Sequence, residues 1–523
     1  SNSYITNINV SNSDTAIYFA SGSDNTITNN IVNNNQYGLY LESISNNILS
    51  NNTASDNSYT GIYLASGSNN TITNNVVNNN NEGIFLYSIS NTIVSNNTVN
   101  NNTGIEMGIG ISVDSSSSNT ITNNMVHNNS YAILFHNTSN TIVSNNTVSN
   151  NTYAAIYLDS GSNNTITNNI FNNNYYAIFT FVDGPNNTIT NNTVNNNIYG
   201  ISLTSNFNII TNNTASNNTY GITLSSANNS ILLSNIVNNN NYAIYTINSL
   251  NNSFINNIAN NNNYSIYLSN TSNNTISNNT ANNNSYGIYF FNSINNTLIT
   301  NTILNSLESD FYVEDIDSTN NNIYNTTLNN SIISFTGMGI LLKSSYPIAS
   351  APAGYRSLGK HVNITNLSDA GSWIFLNITY SGTDVIGMNE SKLSIWRYNS
   401  TAWNNWTGVN GVNTAGKYVY ANLTNFSIFD VFGLDDIAPS ITISSPISTT
   451  YSSSSVALSV SANEPVSSWW YSLDGGPNRT FTPNTTLSGL SNAQHMLVVY
   501  ANDTVGNINS AIIYFVVLVP SQP

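Results

Sequence analysis

Carboxylates, histidines and aromatic rings are the groups in this chain that could do chemistry, and their placement restricts what that chemistry is. Glycoside hydrolysis needs two facing carboxylates. The acids of the first 342 residues are scattered at Asp14, Asp24, Glu42, Asp56, Glu82, Glu106, Asp114, Asp159 and Asp183, then gather at Glu308, Asp310, Glu314, Asp315 and Asp317. Few of the scattered acids recur at equivalent positions, so no catalytic pair is evident. The late cluster offers hard oxygen ligands of the kind that hold Ca2+. The Asp-x-Asp-x-Asp-Gly loop pattern is missing, which favours a solvated cap over a cation site. No catalytic residue, metal ligand or cofactor is assigned on this basis; Ca2+ is the one ion the acids leave open. His127 and His136 are the two histidines of this region and read as ordinary polar positions.

These groups must be held by elements, and the elements repeat. Three short apolar stations return about every 22 residues. The first series runs Ile17, Leu39, Ile62, Ile84, Ile111 and on to Phe311. The second runs Ile27, Leu49, Ile72, Val94 and on to Ile299, and the third Val32, Ala54, Val77, Val99 and on to Leu304. Each station is too short for a helix and is rich in β-branched residues. Asn, Gly and Ser separate the stations, which is turn chemistry. Three strands per repeat predict a right-handed parallel β-helix of about fourteen coils, with equivalent residues stacked about 4.8 Å apart in a rod of roughly 60 Å. One coil cannot bury its own apolar face, so stacking makes the core.

Two outward features follow. An Asn pair after the second station (Asn29-Asn30, Asn51-Asn52, Asn74-Asn75, Asn96-Asn97, Asn145-Asn146) suits a left-handed bend and an amide ladder. The residue after the first station is aromatic at Tyr18, Tyr40, Tyr63, Phe85, Tyr157, Phe179, Tyr245, Tyr267, Tyr289 and Tyr312, interrupted at Ser112, Ser202 and Thr223. Strand alternation puts this stripe outside. It reads as cross-coil stacking first, and as a contact strip for another subunit or a sugar ring second. One coil, from Ile84 to Ile111, is longer and carries Thr103-Gly104-Ile105-Glu106-Met107, an inserted loop.

Composition sets further bounds. Only 6% of the 523 residues are charged, the formal net charge is -16, and there is no cysteine. The first lysine is Lys343, no arginine precedes it, and all seven bases fall in the last third. This distribution disfavours nucleic acid and anionic membrane surfaces as partners, since both are bound by clustered cations. No disulfide or thiolate site can form. No apolar run is long enough to span a membrane. The chain opens at Ser1 inside a repeat and reads as a processed chain or a fragment.

The string NNTITNN…V…NN…YGIYL resembles the repeat of the NosD-like periplasmic and archaeal surface proteins, over residues 1 to about 335. The copper-delivery branch of that family implies metal-binding residues. Here His127, His136, Met107 and Met125 make a copper site a poor fit. Polysaccharide lyases of this general fold resemble one another in a cationic base, and this region has none. Residues 336–434 bring Trp373, Trp396, Trp403 and Trp406 and resemble the small β-sandwich of archaeal envelope proteins, its tryptophans read as core. Residues 435–523 resemble the Ig-like modules of surface proteins, with Asp435-Asp436-Ile437-Ala438-Pro439 as linker.

Asn-x-Ser/Thr sequons recur along the chain and point to an extracellular glycoprotein. The candidates outside the repeat are Asn363, Asn377, Asn389, Asn399, Asn405, Asn422, Asn478 and Asn502. Asn51, Asn96 and Asn145 are sequon and turn at once, and carry a glycan only if they point outward. The abundance of thermolabile Asn argues against a hyperthermophilic source. The expected role is a non-enzymatic structural glycoprotein of an archaeal surface layer, sheath or filament that self-associates. A glycan-binding adhesin is the alternative, and a polysaccharide-active enzyme the third reading.

Overall fold

A computed structural model describes the chain except for residues 1, 105–106, 182–183, 315–316, 368–370 and 521–523. Glu106, Asp183 and Asp315 therefore lie outside the described residues. The chain is all-β, with a right-handed parallel β-solenoid of about fourteen turns. A single 3-10 turn, Glu390–Lys392, is the one helical element among the described residues. Contacts divide the chain into two compact units, one of residues 1–329, 335–343 and 365–374, the other of 330–334, 344–364 and 375–523.

A representative coil of the first unit runs Thr60–Ser68, Thr71–Thr73 and Val76–Asn78. Each strand pairs in parallel with its equivalents before and after: Ile62 lies between Leu39 and Ile84, Ile72 between Leu49 and Val94, Val77 between Ala54 and Val99. All nine of these side chains are fully buried. Leu64 joins them from the long strand, so that strand supplies two inward residues per coil. The late stations sit one residue earlier than expected. Leu298 and Ile303 fill the core, while Ile299 and Leu304 point away from it, because Leu298 takes the place in the stack above Ile276 and Ile303 that above Ala281.

Every coil turns three times, and an Asn pair makes most of the corners. The first Asn of each pair takes positive φ (Asn69 57°, Asn74 57°, Asn79 56°), a region Asn tolerates better than other chiral residues. The second (Asn70, Asn75, Asn80) is buried. Asn75 shows the pattern: its Nδ2 donates to Asn97 Oδ1 at 3.0 Å and to the Leu49 carbonyl at 2.9 Å. Its Oδ1 accepts from the backbone N–H of Asn52 at 2.9 Å and from Asn52 Nδ2 at 3.0 Å. One amide thus satisfies its own donors and its neighbour's inside a dry core. The ladder seen in the sequence at one corner exists at three.

The acidic cluster does not form the solvated cap expected of it. The last long-face strand, Ser309–Val313, pairs antiparallel with Ile340–Ser344, setting Phe311 opposite Leu342. Phe335 packs edge-on against Phe311, ring centres 5.0 Å apart. This antiparallel strand, with Ile340 and Leu342 buried, covers that edge.

In the second unit, Ile428–Leu434 is a central strand, antiparallel to Tyr355–Ser357 and Ser394–Tyr398. Trp396, Trp403 and Phe432 form a buried cluster there, so two of the four tryptophans are core as expected. Further on, a three-stranded sheet (Ile441–Ser445, Val456–Ala462, Thr485–Leu487) and a five-stranded one enclose Leu458, Leu497, Val499 and Phe515.

Candidate functional site

The aromatic stripe lies on the long-strand face, in register from coil to coil. Tyr18 stands beside Tyr40, Tyr40 beside Tyr63, Tyr245 beside Tyr267, Tyr267 beside Tyr289 and Tyr289 beside Tyr312. The Tyr289 and Tyr312 rings are 4.5 Å apart and 5° from parallel. Tyr157 continues into Phe179 at 5.4 Å. Each ring covers the next, so the stripe is outward but half-buried; Tyr18 remains 56% exposed while Tyr289 falls to 9%.

A second column runs beside it. Tyr176, Tyr199, Tyr220, Tyr242, Tyr264 and Tyr286 stack in unbroken succession at 4.7 to 5.0 Å, the last five within 8° of parallel. Their neighbours in the first column meet them edge-on, as Tyr242 meets Tyr245 at 5.2 Å and 62°. Ser202 and Thr223, the gaps in the first column, are covered. Strict alternation would send the residue two before the station inward. The small residue between them breaks the alternation: Gly221 and Ile222 are both buried, and Tyr220 turns out. A Cβ on Gly221 would lie 2.3 Å from Val237 Cγ1 and 2.7 Å from the Ala243 carbonyl, so any side chain there requires its neighbours to shift. Gly or Ala recurs there at Gly61, Gly200, Ala177 and Ala243. The signal for the second column was this Tyr-(Gly/Ala/Ser)-Ile word.

Two carboxylates bind the tyrosine face. Tyr40 and Tyr18 donate their hydroxyls to Glu42 at 2.7 and 3.4 Å, and Tyr289 donates to Glu314 at 2.6 Å. Burial, reinforced by neighbouring rings and, at Tyr157, by Asp159, raises Tyr157 and Tyr176 to about 12. Glu82 occupies the second-column position between Thr60 and Ile109, and burial pushes it up to about 7.

The other candidate groups do not converge. Asp310 is buried, Glu308 and Asp317 are exposed, and Glu314 is committed to Tyr289. His136 pairs with Asp159 at 2.9 Å on the long face. His127 lies on a different sheet, beside Asn100 and Ser149. Beside the inserted loop is a shallow groove lined by Asp56, Tyr59, Asn79, Asn81, Thr103 and Gly104. Its one carboxylate among the described residues, Asp56, accepts from Asn79 Nδ2 at 3.0 Å. The Asn ladder passes under the loop intact, Asn102 donating to Asn129 at 3.0 Å.

Of the sequon asparagines, Asn399, Asn405, Asn422 and Asn478 are exposed, while Asn363, Asn377, Asn389 and Asn502 are half-buried. Asn389 Oδ1 caps the 3-10 turn, accepting from Ser391 N–H. Asn51, Asn96 and Asn145 are the left-handed members of their pairs and are exposed.

Residues 1–109 and 185–340 match the family described as periplasmic copper-binding protein (NosD), and residues 105–209 match the right-handed beta helix region. The fold thus defines a right-handed parallel β-helix protein. The chain belongs to the NosD family. A stretch of 92 residues is 40% identical to halomucin of Haloquadratum walsbyi, covering 16% of this chain and 1% of that protein. Among solved structures, the Dettilon tailspike protein gp208 is similar over 82% of this chain and 87% of its own, at 13% identity and a TM-score of 0.40. The A-module of the mannuronan C-5 epimerase AlgE4 of Azotobacter vinelandii is similar over 54% of this chain and 90% of its own, at 15% identity and 0.41.

The family's copper does not fit the residues described. Copper sites use thiolate, thioether or imidazole donors brought together. Here the two solenoid histidines stand on different sheets, one already engaged by a carboxylate, and there is no cysteine. No step is derived through copper.

Proposed function

We propose that this chain is a structural, non-catalytic part of a cell-surface or extracellular glycoprotein, and that its solenoid is a building rod packed against another copy through the tyrosine face. The carrying observation is the two-column array. Long, flat and half-buried, it offers phenol edges and hydroxyls over many coils, as suits side-by-side packing of rods. The solenoid's acids are opposed by no lysine or arginine before residue 343, so salt, which screens their mutual repulsion, should favour such contact.

The same geometry weighs against the adhesin reading. Sugar rings stack on open aromatic faces, and here the faces of Tyr199, Tyr220, Tyr242, Tyr264 and Tyr286 cover one another. Against an enzyme, Glu42 and Glu314 are held by tyrosine hydroxyls, Asp159 is paired with His136, and the groove presents one described carboxylate. The surface location is supported by the short likeness to halomucin and by exposed sequons such as Asn51, Asn145, Asn399 and Asn478. An archaeal layer, sheath or filament is the assembly this reading favours. Electron microscopy of the purified chain over a concentration series tests it. Laterally paired rods or bundles are expected; dispersed monomers at every concentration would sink it.

A further inference from the structure

We infer that the second unit contains a Ca2+ site built from Asp435, Glu464 and Asp503. Asp435 follows the strand Ile428–Leu434, Glu464 follows Val456–Ala462, and Asp503 follows Gln494–Asn502. Three segments far apart in sequence thus deliver carboxylates whose oxygens lie within 4.8 Å of one another. That span suits one ion: with Ca–O distances of about 2.4 Å, donors on opposite sides stand about 4.8 Å apart.

The second observation is the state of the ligands. The side chains of Asp435 and Glu464 are fully buried, and all four of their carboxylate oxygens lack a hydrogen-bond donor. Buried acceptors without partners are strongly unfavourable, and ionised ones more so. Asp503, by contrast, is positioned in advance. Its Oδ1 accepts from the N–H groups of Val505, Gly506 and Asn507 at 2.9, 2.6 and 2.9 Å, and its Oδ2 from Asn507 Nδ2 at 2.8 Å. Asn507 Nδ2 also donates to the Asp435 carbonyl at 2.7 Å, tying two of the acid-bearing segments together.

Arg356 does not balance the cluster. Its Nη1 stands 3.8 Å from Asp435 and 3.6 Å from Glu464, and its Nη2 donates to the Ile386 carbonyl. One guanidinium against three carboxylates leaves two negative charges, which one divalent cation neutralises. Burial and mutual repulsion raise Asp435 and Glu464, with Arg356 opposing. All-oxygen donors select Ca2+ or Mg2+ over softer metals, and a cage with this much protein oxygen and spread suits Ca2+. The Glu464 carboxylate rests against Gly387, where an added Cβ would lie 1.8 Å from Oε2. Ion binding would therefore fasten the 435–439 segment to the two loops of the terminal sheets.

The test is calorimetric titration of the chelator-treated full chain with CaCl2, and separately with MgCl2. We expect one Ca2+ per chain, at the ~10⁻⁴–10⁻³ M typical of extracellular modules, with Mg2+ at least tenfold weaker. Glu464→Gln and Asp435→Asn should each weaken Ca2+ at least tenfold, while Glu314→Gln in the solenoid leaves it unchanged. Melting separates ligand loss from misfolding. Without Ca2+, Glu464→Gln should melt no lower than the parent chain, because it removes buried charge; with Ca2+, only the parent should shift upward. No binding up to ~10 mM, tenfold above that range, or binding untouched by both substitutions, overturns the proposal.

Discussion

The two units bury their polar groups in opposite ways. In the solenoid the buried polar atoms are almost all neutral amides and hydroxyls, each Asn completing the next in line. Its one ion pair among the described residues, His136–Asp159, is largely exposed. In the second unit the buried polar groups carry charge: Asp430 against His361 at 3.2 Å, and Asp435 with Glu464 near Arg356. A repeated fold can propagate an amide indefinitely, because an amide both donates and accepts. A carboxylate cannot stack on itself, so ionic burial belongs to unique places. The solenoid should thus be insensitive to chelation, and the second unit sensitive to it.

The largest effects should come from breaking each device where it is deepest. Asn146 donates to Asn169, Ile121 and Ser144 and accepts twice from Asn124. Asn146→Asp keeps the shape, removes the donors and adds a buried charge; it should cost about 3–5 kcal/mol in chemical denaturation of the solenoid. Thr141→Asn, at a corner position where Asn119 and Asn164 are its neighbours, should stay within about 1 kcal/mol. Asp430→Ala strands His361, Ser357 and the Lys360 N–H, and should cost about 3–5 kcal/mol, with the melting change confined to the second unit.

Protons sharpen the comparison at smaller scale. Glu82 is raised from 4.5 to about 7 by burial. Its neutral form is favoured in the fold, so its contribution is best below the unfolded value and is lost as pH rises from about 4.5 through 7. Glu82→Gln should flatten that decline and stabilise the solenoid by about 3 kcal/mol at pH 8. Tyr176 and Tyr220 on the face are raised as well, so their contribution is intact below about pH 10 and lost as pH rises beyond it. Ultraviolet titration should show their phenolates appearing together with loss of near-ultraviolet dichroism. The smallest effect is expected for His136→Ala, below about 1 kcal/mol and weaker still in high salt.

The repeat was legible because one period carries strand, turn and core together, and stacking multiplies a weak local pattern. The first tyrosine column was legible from alternation, and Asn30 and Asn52 declared their ladder by spacing. The second column was hidden because Gly221 and its equivalents place two successive residues inward. The shift at Leu298 and Ile303 was hidden because Ile299 and Leu304 are equally apolar; only the stack above Ile276 decides between them. The acids misled in the opposite sense. Glu308 to Asp317 are close in sequence and separate in their partners, whereas Asp435, Glu464 and Asp503 are far apart in sequence and meet.

The tyrosine face is proposed to join copies of this chain. Sedimentation velocity over a concentration series, comparing the parent with the triple variant Tyr220→Ser, Tyr242→Ser, Tyr264→Ser, tests it most directly. Reversible association of the parent is expected, lost in the variant while both retain the same β dichroism. A parent that sediments as a monomer throughout, or a variant that associates equally, would contradict it.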